Sequence, residues 1–121
     1  MEPEIYTTYF GNLRKLPKDI IPISIALKSP DWYKGFQYKK LAPKYGFFSI
    51  WKRNHDNDYY AKCFNEQVLS LLDAKSVCDE IYNLTGSNKI ALVCYEKPSD
   101  FCHRHLVRNW FLKNGISIRE F

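Results

Sequence analysis

The sequence predicts a small three-layer α/β domain, a mostly parallel sheet of about four to five strands flanked by helices. Three observations lead there. Ile90-Ala91-Leu92-Val93-Cys94-Tyr95 is unbroken apolar sequence, as expected of a central parallel strand covered on both faces. Strand-like and helix-like segments alternate along the chain. The helix-like segments are punctuated by residues that start or stop helices: Asp58, Asp73, Gly86 and Gly115. With 121 residues and 45% hydrophobic content, the chain is expected to form one domain spanning 1–121, large enough to bury a core without staples.

Taken in order, Glu4 to Phe10 is β-branched and aromatic and reads as the first strand, ending at Gly11. A short connection closed by Pro17 leads to Ile20 through Leu27, read as the second strand, where large aliphatic residues at odd positions give two unlike faces. Pro22 argues for an edge or for the start of pairing. Residues 28–57 lose the periodic pattern and read as a long basic, aromatic insertion or lid, with Gly46 to Trp51 as a short strand inside it. From Asp58, the spacing of Tyr60, Phe64, Val68, Leu71 and Leu72 predicts a helix. Asp73 restarts a second one, with Val77, Cys78, Ile81 and Tyr82 inward and Gly86 as its stop. After the central strand, Ser99 or Asp100 caps a helix running to Asn114, and Ile116 to Phe121 alternates as a final strand.

No apolar run approaches the roughly 18 residues of a membrane-spanning helix. The acidic start Met1-Glu2-Pro3-Glu4 enters a strand at once, which is not the pattern of a secretory signal. A cytoplasmic location is therefore expected, and Cys63, Cys78, Cys94 and Cys102 read as thiols rather than as a disulfide framework. The net charge of +5 permits phosphate-bearing or acidic partners without requiring them.

The densest chemistry lies between Cys94 and His105, where a buried strand turns into a helix. In open α/β sheets, ligands sit at the carboxyl ends of strands, and helix N-termini favour anions. Cys102 falls in the first turn, where a thiol should titrate below its free value of roughly 8.5; the bland alternative is a buried thiol filling a gap. His103 lies on the apolar face built by Leu106, Val107, Trp110 and Phe111, so it should point beneath the strand ends. There it is either a general base or ligand anchor, or a structural histidine bonded to a backbone carbonyl. Arg104 is a candidate fork for phosphate or carboxylate, or else a salt-bridge partner of a carboxylate such as Glu96. Glu96 ends the central strand and is a candidate base, nucleophile or orienting group, while Lys97 reads as solvent-facing. Cys102, His103 and Glu96 form the candidate catalytic set.

No metal site is expected. Cys94, Cys102, His103 and His105 are ligand types, but their spacing matches no common zinc pattern. The two histidines also project about 160° apart on one helix.

Ile5-Tyr6-Thr7-Thr8-Tyr9-Phe10, together with Leu92-Val93-Cys94-Tyr95-Glu96-Lys97-Pro98 followed by Cys102-His103-Arg104, resembles the domain of unknown function 488 family, which opens with an Ile-Tyr-Thr strand and ends with a Cys-x-Glu turn leading into Cys-His-Arg. The likeness covers most of the chain. It implies a compact α/β fold and a shared pocket, but no particular reaction. Tyr6 and Thr7 are further candidate ligand contacts, and no cofactor is expected. Many members carry Asp-x-Arg at the end of the second strand, where this chain has Ile25-Ala26-Leu27.

The insertion carries seven Lys or Arg interleaved with eight aromatics. Cations beside rings suit nucleotides and single strands, and Lys39, Lys40 and Trp51 are the candidate contacts; alternatively the aromatics pack on the sheet and the lysines stay wet. Three functional readings result. In the first, the domain binds or processes a phosphate-bearing ligand, a nucleotide or nucleic acid, at the Cys-His-Arg turn. In the second, it is a redox or nucleophilic protein working through Cys102 with Cys94 as resolving partner. In the third, it is a non-catalytic nucleic-acid-binding module. No membrane partner is expected.

Overall fold

The computed structural model describes residues 3–96 and 100–121. The expected caps at Ser99 and the outward Lys97 lie outside the described residues. Five strands form one parallel sheet: β1 (Glu4–Tyr9), β2 (Ile21–Ser24), β3 (Phe36–Gln37), β4 (Lys89–Cys94) and β5 (Ile118–Glu120), in the order β3-β2-β4-β1-β5. The apolar run becomes β4, which is central and buried from Ile90 to Cys94. Its register pairs Ile5 with Ile90 and Tyr9 with Cys94, so the carboxyl ends of β1 and β4 finish level. β2 is shorter than its apolar pattern. Beyond Ser24, Ile25 still donates its N–H to the Val93 carbonyl, but the chain then turns away. Pro22 sits near the start of pairing and not on an edge strand.

Four helices pack against the sheet: α1 (Tyr45–Asn54), α2 (Asn57–Gln67), α3 (Ala74–Thr85) and α4 (His103–Lys113). Alternate residues of the strands, Ile5, Ile23, Ile90, Leu92 and Cys94, share one core with Phe47, Tyr60, Phe64, Val77, Ile81, Val107 and Phe111 from the helices. On the opposite face Phe10, Ala26 and Val93 are covered by Leu13 and Tyr33, so the sheet is clothed on both sides. The fold is α/β, as the alternation of segments indicated. No helix among the described residues is long and apolar enough to cross a membrane.

Two sequence expectations are corrected. Gly46 to Trp51 is not a strand but lies within α1: Phe47 is buried and Phe48 and Trp51 pack partly on the same core, a spacing of one helical turn that aromatic content disguised as β sequence. The 28–57 segment is accordingly not structureless, holding β3, a 3-10 turn at Lys39–Leu41 and α1. The second helix is capped by Asp56 and not Asp58; the Asp56 carboxylate accepts the Tyr59 N–H at 3.1 Å, leaving Asp58 in the first turn. Asp73 caps α3 through the Ser76 N–H at 3.0 Å, and Gly86, at φ 72°, supplies its left-handed stop.

Candidate functional site

β4 delivers Cys94 to the carboxyl edge of the sheet, and α4 begins nine residues later. The cap of α4 is Cys102, two residues beyond the expected Asp100, and its side chain makes no capping hydrogen bond. Its sulfur turns instead to Cys94. The two Sγ atoms are in covalent contact, as a disulfide, although the Cα atoms stand 7.3 Å apart. The four cysteines are thus not all thiols, and the joined pair is the one that the redox reading names, Cys102 with Cys94 as resolving partner. Cys63 and Cys78 remain free.

His103 is 5% exposed and lies under the strand ends, where helical phase on the Val107–Phe111 face puts it. Its Nε2 is 2.7 Å from the Ile25 carbonyl and its Nδ1 is 3.6 Å from Cys94 Sγ. A carbonyl only accepts, so Nε2 carries the proton and Nδ1 presents its lone pair to the sulfurs. Burial lowers the pKa of His103 from 6.5 to about 4; the Ile25 bond opposes that shift, and Arg104 and His105 add to it. The ring is therefore neutral at neutral pH, stacked at a tilt against Phe64. Cys94, Cys102 and His103 place one donor atom each within 4.8 Å of one another. His105 is not among them, in keeping with its opposite projection from the helix.

These three residues form the floor of a cleft of about 410 Å³. Phe48 and Trp51 from α1, Tyr60 from α2, and Phe101 supply aromatic walls, with Trp51 and Phe101 centroids 5.7 Å apart at 37°. Lys28 and Lys52 line it with positive charge, and Glu96 lines it with a carboxylate. Burial, followed by the charge of Glu96, raises the pKa of the Tyr60 phenol, which stays protonated.

Arg104 goes elsewhere. It is fully buried, with Nε 3.2 Å and Nη2 2.9 Å from the two carboxylate oxygens of Glu120 on β5, and Nη1 donating to the Glu96 carbonyl. Thr7, also fully buried, donates its hydroxyl to the same Glu120 carboxylate at 2.6 Å. The ion pair foreseen for Arg104 with Glu96 is thus made with Glu120, and Arg104 does not line the cleft. Tyr6 points from the other side of β1, bonding Glu4 and lying beneath Arg119. Lys39 donates to the carbonyls of Ala26 and Leu27, and Lys40 pairs with Glu80 on α3; neither lines the cleft. Among the sequence candidates, the structure gathers Cys102, His103, Glu96 and Trp51 and leaves Arg104, Tyr6, Thr7, Lys39 and Lys40 outside. Lys28, Lys52 and Phe101 join the cleft without having been singled out as site residues, and so does Cys94, named only as a resolving partner. The one available signal was that Cys94 ends the buried strand, the position where α/β ligand crevices open.

A family model described as DUF488-N3a, the active DUF488-N3 subclade, matches residues 7–115. No curated protein and no solved structure matches the chain.

Proposed function

We propose a function for a chain that belongs to the DUF488 family, in its active DUF488-N3 subclade: a thiol-dependent enzyme that holds a flat, phosphate-bearing ligand of the nucleotide class in the cleft and works on it with Cys94 and Cys102. The observation that carries this reading is the meeting of two sulfurs and a neutral imidazole on the floor of an open cleft. Two thiols in reach of each other are a nucleophile and its resolving partner, and the start of α4 favours the thiolate of Cys102. His103, its Nδ1 unprotonated, is suited to accept a thiol proton from the side of Cys94. Glu96, on the cleft wall, is the remaining acid or base. Phe48, Trp51 and Phe101 offer ring faces to a base, and Lys28 and Lys52 offer charge to a phosphate. In this reading, α1 and the segment before it form the wall that closes over the ligand, and Arg104 holds the turn in place rather than gripping the anion.

Calorimetry of the reduced chain against mononucleotides and short single strands at low salt tests the ligand class. Binding that weakens about tenfold in Trp51→Ala, where stacking is worth about 1–3 kcal/mol, supports the reading; silence across the panel contradicts it. The non-catalytic nucleic-acid module finds less support, because Lys39 and Lys40 are spent on backbone carbonyls and on Glu80.

A further inference from the structure

Resting on the same two sulfurs as the proposed function but going beyond it, we propose that in the dithiol state Cys94, Cys102 and His103 bind a thiophilic divalent cation of the zinc type, with its fourth position open to the cleft. Two thiolates and one imidazole are the donor set of a three-ligand catalytic zinc centre. All three residues are buried, and their donor atoms lie within 4.8 Å of one another. The imidazole is already set for the task. Its Nε2–H is held by the Ile25 carbonyl at 2.7 Å, which leaves Nδ1 as the free donor facing Cys94 Sγ. A backbone carbonyl on the far nitrogen is the usual outer support of a metal-binding histidine.

The backbone favours an ion as the bridge. The Cα atoms of the two cysteines are 7.3 Å apart, beyond the roughly 4.4–6.8 Å usual for a disulfide. A tetrahedral ion with bonds of about 2.3 Å to each sulfur keeps the sulfurs about 3.8 Å apart, a wider bridge that suits the wider backbone span. Sequence spacing conceals the site because one ligand ends a strand and two adjacent ligands begin a helix. The fourth position faces the cleft that the same residues line, so a ligand or water completes the sphere.

Binding exchanges protons for the cation and leaves oxidation states unchanged. The S–H bonds of Cys94 and Cys102 break, two protons pass to solvent, and two sulfur–metal bonds form. The disulfide state has no thiol protons to exchange and does not bind.

Cobalt(II) titration of the full, freshly reduced chain tests this. One equivalent is expected to bind, with thiolate-to-cobalt charge-transfer absorption that zinc displaces. Affinity should fall on the order of 100-fold in Cys94→Ser and Cys102→Ser and remain in Cys63→Ser. A readout that needs no variant is alkylation with cobalt present, followed by peptide mass mapping. Protection of Cys94 and Cys102, with Cys63 and Cys78 labelled as in the metal-free chain, supports the site. No charge-transfer band in the folded, reduced chain, or protection confined to Cys63 or Cys78, overturns it. Nucleotide binding by a chain that shows no cobalt band ends this inference and leaves the proposed function standing.

Discussion

Residues 102–103 and residue 104 are neighbours in the chain and opposites in use. Cys102 and His103 turn toward β4 and the underside of β2 and face an open cleft. Arg104, a step of about 100° further round the helix, turns toward β5 and is sealed there by Glu120, the Glu96 carbonyl and the ring of Tyr9. The arginine side carries saturated charge: a bidentate pair, a second acceptor for its other nitrogen, and Thr7 on the shared carboxylate. The sulfur side carries two joined sulfurs and an imidazole nitrogen beside a cleft with room for a ligand. A motif of three polar residues thus divides into one part that fixes the turn and one part that is left for chemistry.

The sharpest break in that comparison comes from Glu120→Ala, which strands the buried Arg104 guanidinium. It should cost about 3–5 kcal/mol, toward the lower figure because Glu120 is 22% exposed, read as a lowered urea midpoint. If the two sides are separate in function, the variant still binds cobalt(II) once folded.

His103 sets the next effect, through pH. Its folded pKa of about 4 lies below the unfolded 6.5, so between those values the unfolded chain binds the extra proton. Stability of the metal-free, disulfide-bonded chain should rise as pH climbs from about 4 to 6.5, be fully present above that, and be lost as pH falls again. At about 1.36 kcal/mol per unit, the difference is about 3 kcal/mol. Urea midpoints against pH should show this slope in the native chain and a flatter one in His103→Gln, which keeps a donor for Ile25 but does not titrate. Parallel slopes would remove His103 as the cause.

On the cleft wall, Trp51→Ala is expected to lose nucleotide affinity while leaving the Glu120 network untouched, so its urea midpoint should move less than that of Glu120→Ala. The smallest effect belongs to Lys40→Ala. Its partner Glu80 is held below the usual carboxylate range by Tyr38 and by Lys40, but the pair is exposed and water replaces it. Neither the urea midpoint nor nucleotide binding should shift measurably; a loss of binding would bring the surface of residues 39–40 back into the site.

Much of this was legible from residue patterns with strong periods. β4 announced itself by unbroken apolar sequence, α3 by Asp73 and Gly86 at its ends, and the inward turn of His103 by the phase of Val107 and Phe111. What escaped was long-range. Glu120 looked like one polar position in an alternating final strand, and only the pairing of β5 with β1 brings it to Arg104 and Thr7. The Ile25 carbonyl that orients His103 belongs to the backbone, which no residue pattern reports. Phe47, Phe48 and Trp51 carried a helical spacing, but three aromatics and Ile50 around one glycine match strand preferences equally well. Cys94 could be named as a resolving partner for Cys102, but their joining depends on how β4 and α4 meet, which residue types alone do not specify.

The central claim is that Cys94 and Cys102 act as one pair. A trivalent arsenical such as phenylarsine oxide, which needs two neighbouring thiols, measures that directly in the reduced, metal-free chain. One equivalent bound across Cys94 and Cys102, lost in Cys102→Ser, with Cys63 and Cys78 unmodified, is the predicted result. No uptake by the folded chain, or uptake that survives Cys102→Ser, would contradict the account.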